Sequence, residues 1–279
     1  MKLYDAGLPD AMDARSTVAA ALAKDGVVII RNVFDREEVG KPKRDFLAAF
    51  NLSREETSLD FNACYEELWS TRPDVAIHSL SLARDLPSFI NLVTGSKIRS
   101  LMGHIFDSQN LICPFDWCLF RVDGPSTKKS RFEWHQDYPY NVISTAAVTF
   151  WIALSDMDSD MGLLKFIPSS HSQIYPVQID ENPQHNNPNR LRIADIESMS
   201  EKWEEQAISS GPMKAGDVIL FNSLLLHRSG FNKSKKYRWV ANGRYARADD
   251  PELVARDFHT ARLKYPYFFR VAHPELVVN

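Results

Sequence analysis

A chain of 279 residues, 44% hydrophobic and 25% charged, has the balance of a folded globular protein and excludes disordered, collagen-like and membrane-spanning classes. Folding at this length buries roughly 75% of the surface an unfolded chain exposes, so a core needs neither disulfides nor a structural metal. With 33 basic and 36 acidic residues the net charge is -3, which speaks against nucleic-acid backbone or an anionic membrane as the main partner.

In chain order, Met12, Val18, Ala19 and Leu22 fall at helical spacing over residues 12–24, and Gly26 breaks that pattern before the β-branched run Val27 to Ile30. Helix then strand is expected. Asp35 suits the N-cap of a second helix reaching about Asn51, with Phe46, Leu47 and Phe50 as its apolar stripe. Two shorter helices are expected within 84–105. From Leu111 the texture changes to short Val-, Ile-, Phe-, Trp- and Thr-rich runs punctuated by Gly, Pro, Asp and Asn. Strands are expected at 111–122, 131–138, 146–154, 163–167, 217–222, 225–229 and 236–246. The fold class is therefore mainly β with flanking helices, a sandwich or jelly roll. The polar segment 172–213, with one helix near 195–207, is long enough to be a functional lid or a disordered excursion. No composition break divides the chain, so one domain over 1–279 is expected: a helical support over 1–110, a β core over 111–246 and an extension over 247–279.

The chemistry concentrates in three places. His135-Gln136-Asp137 follows an aromatic stretch, and the period of two along a strand puts His135 and Asp137 on one face. With a second imidazole such a pair makes the facial triad of non-haem Fe(II) oxygenases, which leaves positions open for cosubstrate and oxygen. His227, in Leu224-Leu225-Leu226-His227-Arg228-Ser229-Gly230, is the natural second imidazole. Arg238 stands eleven residues later across the turn-forming Gly230 to Ser234. A hairpin there would return its guanidinium to the far end of the pocket, suited to bidentate capture of a carboxylate. Read without the other residues, H-x-D pairs arise by chance and Arg238 belongs to a basic run with Lys233, Lys235 and Lys236.

Arg121 through Asp137, Val148 through Leu154, Gly162 through His171 and Ala215 through Arg238 resemble, in order, the successive motif blocks of the phytanoyl-CoA dioxygenase family. The resemblance implies a double-stranded β-helix. It implies iron on His135, Asp137 and His227, with Arg238 on the remote carboxylate of 2-oxoglutarate. Gln136, Trp151 and Ser229 are implied as further cosubstrate contacts, though Trp151 could equally pack the core. The activity implied is an Fe(II)- and 2-oxoglutarate-dependent dioxygenase that uses O2 to hydroxylate a small-molecule metabolite and releases succinate and CO2. Met161-Gly162 and Pro168-Ser169-Ser170-His171 depart from the family's usual Asn-Gly and Pro-Gly-Ser-His, which touches pocket shape rather than the triad. Because jelly rolls also serve as binding modules, a non-catalytic binding or regulatory module is the alternative. Halogenation is disfavoured, since such enzymes typically replace the carboxylate ligand by a small residue and Asp137 is present.

The remaining features are plainer. Cys64, Cys113 and Cys118 form no C-x-x-C pair and suit a reducing compartment; Cys113 and Cys118, five apart on one expected strand, should face opposite sides. Asp5, Asp10 and Asp13 stand where a secretory signal would be cationic and then apolar, and a cytoplasmic location is expected. His171 is expected to be a structural histidine, with a substrate contact as the other reading. Lys128, Lys129 and Arg131 before His135, together with Lys233, Lys235 and Lys236, could steer an anionic substrate or serve only as solvated turns.

Overall fold

Val27, Val28, Ile29 and Ile30 are all buried, which a strand accepts only when both its faces are covered. The computed structural model, which describes residues 3–5, 11–49, 60–125, 133–180, 190–261 and 267–278, shows what covers them. The chain begins β1 (Leu3–Asp5), α1 (Ala11–Asp25), β2 (Val27–Arg31) and α2 (Arg36–Ala49). Asp35 starts α2 as expected: its carboxylate accepts from Glu38 N at 2.8 Å while Glu38 accepts from Asp35 N at 2.9 Å, a reciprocal capping box. Four helices follow, α3 (Phe61–Thr71), α4 (Pro73–Ala83), α5 (Pro87–Thr94) and α6 (Ser96–Phe106). The sequence reading anticipated the last two and missed the first two.

Next come β3 (Leu111–Ile112), β4 (Leu119–Asp123), the single turn α7 (Tyr138–Asn141), β5 (Val148–Ala153) and β6 (Leu164–Phe166). They are followed by β7 (Val177–Asp180), β8 (Arg190–Ile193), α8 (Ile196–Gln206) and β9 (Ile208–Ser209). The chain closes with β10 (Val218–Asn222), β11 (His227–Ser229), β12 (Arg238–Arg247), α9 (Pro251–Ala255) and α10 (Tyr267–Ala272). The large sheet runs β1-β2-β10-β5-β12-β3, with β4 also on β12; the small sheet runs β11-β6-β9, and β7 and β8 form a separate hairpin. This is the expected jelly roll. Among the described residues no helix is long and apolar enough to cross a membrane.

Alternation along the strands divides the core in two. Ile29, Trp151, Ile219, Phe221 and Val240 point from the large sheet toward Leu164 and Phe166 of the small sheet and form the barrel interior. Val28, Phe150, Ile152, Leu220, Trp239 and Tyr245 point the other way, against the helices. There Trp239 meets Phe46, Tyr65 and Phe120 edge-on at 5.4–6.1 Å between centroids. The helical layer thus backs the large sheet and holds one wall of the barrel rigid.

Four expectations need correction. The strand drawn over 111–122 is broken by a 3-10 turn at Phe115–Trp117, which folds Cys118 back until its sulfur lies 3.6 Å from that of Cys113. The strand drawn over 131–138 is, in its described part, an isolated bridge at His135 followed by the α7 turn. No hairpin joins His227 to Arg238, because β11 pairs with β6 in the small sheet and β12 with β4 and β5 in the large one. The connection crosses the barrel, and Asn232 pins it by donating to the carbonyls of Asp123 and Lys236 at 3.2 and 2.9 Å. Segment 172–213 is a hairpin, a helix and a strand on β6 in its described part, not an unstructured excursion.

One polar group inside this layer carries a cost. Lys43 on α2 is buried with its ammonium 4.5 Å from the centre of the Phe61 ring. Burial, with Arg44 beside it, lowers its pKa to about 8. The folded chain releases this proton near pH 8 and the unfolded chain near 10.5, so the unfolded state binds more protons in between and stability rises with pH across that window. Lys43→Met is expected to raise the unfolding free energy at pH 7 by about 2 kcal/mol, less the lost ring contact. Denaturant titrations of both proteins from pH 7 to 10 should show that advantage shrinking as pH climbs.

Candidate metal centre

His135 and His227 are set side by side by their backbones. Each N–H donates to the other's carbonyl at 3.0 Å, an isolated antiparallel bridge that places the imidazole centres 4.1 Å apart. Two residues on, the Asp137 and Tyr138 N–H groups both donate to the Ser223 carbonyl, at 2.8 and 3.0 Å, and turn the chain into α7. The consequence is the same-face placement the period of two predicts. Asp137 Oδ1 lies 3.9 Å from His135 Nε2 and 4.0 Å from His227 Nε2, and ligand atoms of the three residues all lie within 4.8 Å of one another.

The tautomers follow from the backbone. A carbonyl can only accept, so His135 Nδ1, 2.7 Å from the Glu133 oxygen, carries its proton, and so does His227 Nδ1, 2.9 Å from the Leu225 oxygen. Both Nε2 lone pairs therefore face Asp137. Burial, and the neighbouring His227, bring the His135 pKa down to about 3, and burial lowers that of His227 as well. Burial alone would push the Asp137 carboxyl up, but Arg244, His227 and His135 hold it well below the ordinary carboxylate range. Two neutral imidazoles and one carboxylate are the donor set a divalent first-row cation takes, and the three groups fit iron.

What surrounds Asp137 was not foreseen from the sequence. Thr149 Oγ1 donates to Oδ2 at 2.7 Å, and Arg244 grips both oxygens, Nη2 to Oδ1 at 2.7 Å and Nε to Oδ2 at 3.2 Å. A third Arg244 nitrogen donates to the Trp117 carbonyl at 3.0 Å. The available signal was the even spacing of Arg238, Val240, Asn242 and Arg244 on β12, which puts all four on the barrel face, opposite Thr149 and Trp151 of β5.

Arg238 stands one strand step beyond Ser229. Ser229 opposes Leu164, the Gly230 N–H donates to Leu163, and Arg238 Nη1 donates to the neighbouring Gly162 carbonyl. Its Nη2 meets Asp123 Oδ2 at 2.9 Å, Asp123 being shared with Arg121 at 3.1 Å. Arg238 Nε and Asn242 Oδ1, on the same face of β12, are buried without a hydrogen-bond partner. An orphaned donor beside a buried guanidinium is what an absent carboxylate would satisfy. Trp151 is buried in the barrel interior between them and Ile219. Gln136 is placed differently: turned away from His135 and Asp137, its amide donates to the carbonyls of Gln173 (2.8 Å) and Leu224 (2.5 Å) and accepts from Tyr175 N (2.9 Å). It fastens segment 173–175 to the triad.

That segment walls the metal end. Tyr140 stands edge-on to His135 at 6.0 Å and donates to the Leu191 carbonyl of β8 at 2.7 Å, while Arg192 meets Glu133 at 3.2 Å. His171 lies elsewhere, its Nε2 donating to the Ala23 carbonyl at 3.0 Å. Its ring fills the space left open at Gly26, whose φ of +77° a side chain would rarely adopt. Lys233, Lys235 and Lys236 sit on the crossing turn beside Asp158 and Asp160, and Lys128, Lys129 and Arg131 lie outside the described residues.

Comparison with known proteins extends the geometry. A family model described as "Phytanoyl-CoA dioxygenase (PhyH)" matches residues 22–240, which takes in the triad and Arg238 but stops short of Arg244. The chain is 27% identical over 146 residues to the peroxisomal phytanoyl-CoA dioxygenase of Bos taurus, covering 52% of this chain and 42% of that protein. It is 25% identical over 227 residues to the ectoine dioxygenase of Sphingopyxis alaskensis, covering 77% and 70%. The chain thus spans under half the length of the bovine relative. Among solved structures it is similar to the epimerase SnoN in complex with Fe3+, alpha ketoglutarate and nogalamycin RO, with a TM-score of 0.58, 20% identity and 88% and 89% coverage. The carbocyclase SnoK, with a TM-score of 0.55, 19% identity and 84% of each chain covered, is another. Both likenesses speak for the fold.

Thr149→Val keeps the shape of the side chain and removes its hydrogen bond to Asp137. Divalent-metal affinity is expected to fall about tenfold, read by calorimetric titration with Co(II), while the thermal midpoint moves little.

Proposed function

We propose, starting from the fact that the chain belongs to the phytanoyl-CoA dioxygenase family, that it is an Fe(II)- and 2-oxoglutarate-dependent dioxygenase hydroxylating a small-molecule metabolite. The observation that carries this reading is the buried cluster His135, Asp137 and His227, with both imidazoles neutral and both Nε2 atoms turned toward one carboxylate oxygen. In this reading those three residues would hold the iron and Arg238 the remote carboxylate of 2-oxoglutarate. Bound together, the two would supply the oxidising power for hydroxylation with O2, at the expense of the oxoacid, which would be released as succinate and CO2.

The protein's part is positional and electrostatic. Arg238, fixed by Asp123 and the Gly162 carbonyl, offers its guanidinium edge and the orphaned Nε to the remote carboxylate. Ser229, on the strand that carries His227, stands between metal and clamp and can donate its hydroxyl to the same carboxylate. Trp151, Ile219 and Phe221 keep water from the interior, which strengthens every charge contact there. Thr149 and Arg244 hold the Asp137 carboxylate in place. The alternative of a non-catalytic module is disfavoured by the retention of all four groups.

Iron-loaded protein incubated with 2-oxoglutarate and metabolite mixtures should release succinate, and His227→Ala should abolish it. Arg238→Ala is expected to raise the 2-oxoglutarate KM by the loss of a desolvated charge-assisted contact worth about 2 to 5 kcal/mol, with substrate KM far less affected. An unchanged 2-oxoglutarate KM in a folded Arg238→Ala protein would remove the clamp from this residue.

A further inference from the structure

The Cys113 and Cys118 pair lies outside the proposed chemistry yet within reach of its support. The 3-10 turn at Phe115–Trp117 brings the two sulfurs to 3.6 Å, and both thiols are free. A disulfide needs about 2.05 Å, so roughly 1.6 Å of approach closes the bond, a distance that side-chain rotation and slight tightening of the turn supply. The two thiols are unequally accessible. Cys113 lines a cavity of ≈ 610 Å³ with Arg99, Gln109 and Tyr245, whereas Cys118 is wholly buried against β12, where a Cβ on Gly243 would come within 2.6 Å of its sulfur.

We infer that Cys113 and Cys118 form an oxidisable dithiol that takes a small peroxide from this cavity and closes to an intramolecular disulfide. The Cys113 sulfur attacks one oxygen of hydrogen peroxide, the O–O bond breaks, the thiol proton leaves with the other oxygen as water, and Cys113 becomes a sulfenic acid. The Cys118 sulfur then attacks it, the S–O bond breaks, and the S–S bond forms. Two thiol protons leave with the two peroxide oxygens as two waters, and peroxide takes the two electrons the thiols lose. Cys113 reacts first because it alone faces the cavity; Cys118 resolves because the sulfenic sulfur is its neighbour.

The turn that would tighten also carries the Trp117 carbonyl, which holds Arg244, which in turn holds both oxygens of Asp137. Oxidation therefore acts on the orientation of one proposed metal ligand, and this coupling rests on the functional reading above. The thiol chemistry does not.

Metal-free full-length protein treated with increasing hydrogen peroxide tests both parts. Cys113 and Cys118 should become resistant to iodoacetamide together, with Cys64 still alkylated, intact mass lower by two hydrogens and reversal by dithiothreitol. Cys113→Ser and Cys118→Ser should each prevent the cross-link, while Cys64→Ser should leave it intact. Two thiols still alkylated where free cysteine is fully oxidised, or a cross-link through Cys64, would overturn the pair. Titrated with Co(II), the oxidised protein should bind about tenfold more weakly than the reduced one. Equal affinity would overturn the coupling while leaving the dithiol standing.

Discussion

A carboxylate inside an apolar barrel is costly unless it is paired and hydrogen-bonded, and the architecture around Asp137 answers that constraint. Arg244 and Thr149 saturate it from β12 and β5, and two neutral imidazoles face it from the opposite side. Each partner needs a rigid strand behind it. Those strands are held by the Trp239, Phe46, Tyr65 and Phe120 packing on the helical side, so the N-terminal helices support the charge they never touch.

The same accounting extends along the barrel. Arg121, Arg238 and Arg244 stand on the interior face against Asp123 and Asp137, three guanidinium groups to two carboxylates. One positive charge is left over; a divalent cation adds two more, and a dicarboxylate then removes two. The diacid thereby offsets the charge a divalent cation brings, since the cation alone would leave three uncompensated positive charges in a medium of low dielectric. Asp123 keeps Arg238 from being an isolated buried cation in the meantime.

Much of this was legible in the residues because it depends on short periods. The H-x-D spacing places two groups on one face wherever the chain is extended, and the bridge at His135, with the Asp137 N–H held by Ser223, keeps that arrangement where a full strand was expected. The alternation of β5, β10 and β12 likewise followed from their apolar patterns. Features depending on contacts between distant segments were not legible. Pro114 and Asp116 are turn-forming residues, but the β-rich sequence on either side outweighed them, so the turn and the Cys113 and Cys118 contact it makes were missed. Gln136 carries no mark of the loop it fastens, and Arg244 no mark of its carboxylate partner. The β7–β8 hairpin hid in polar sequence because its strands are short and half covered.

The crossing of the chain from β11 to β12 has a consequence for molecular recognition. It fixes His227 to the small sheet and Arg238 to the large one, with Asn232 locking the passage between them. The separation of the His227 imidazole and the Arg238 guanidinium is thereby fixed by the barrel and not by the chain that connects them. A flexible arm would follow any diacid. Two fixed walls would gauge its length instead, if the proposed iron and clamp roles of His227 and Arg238 hold.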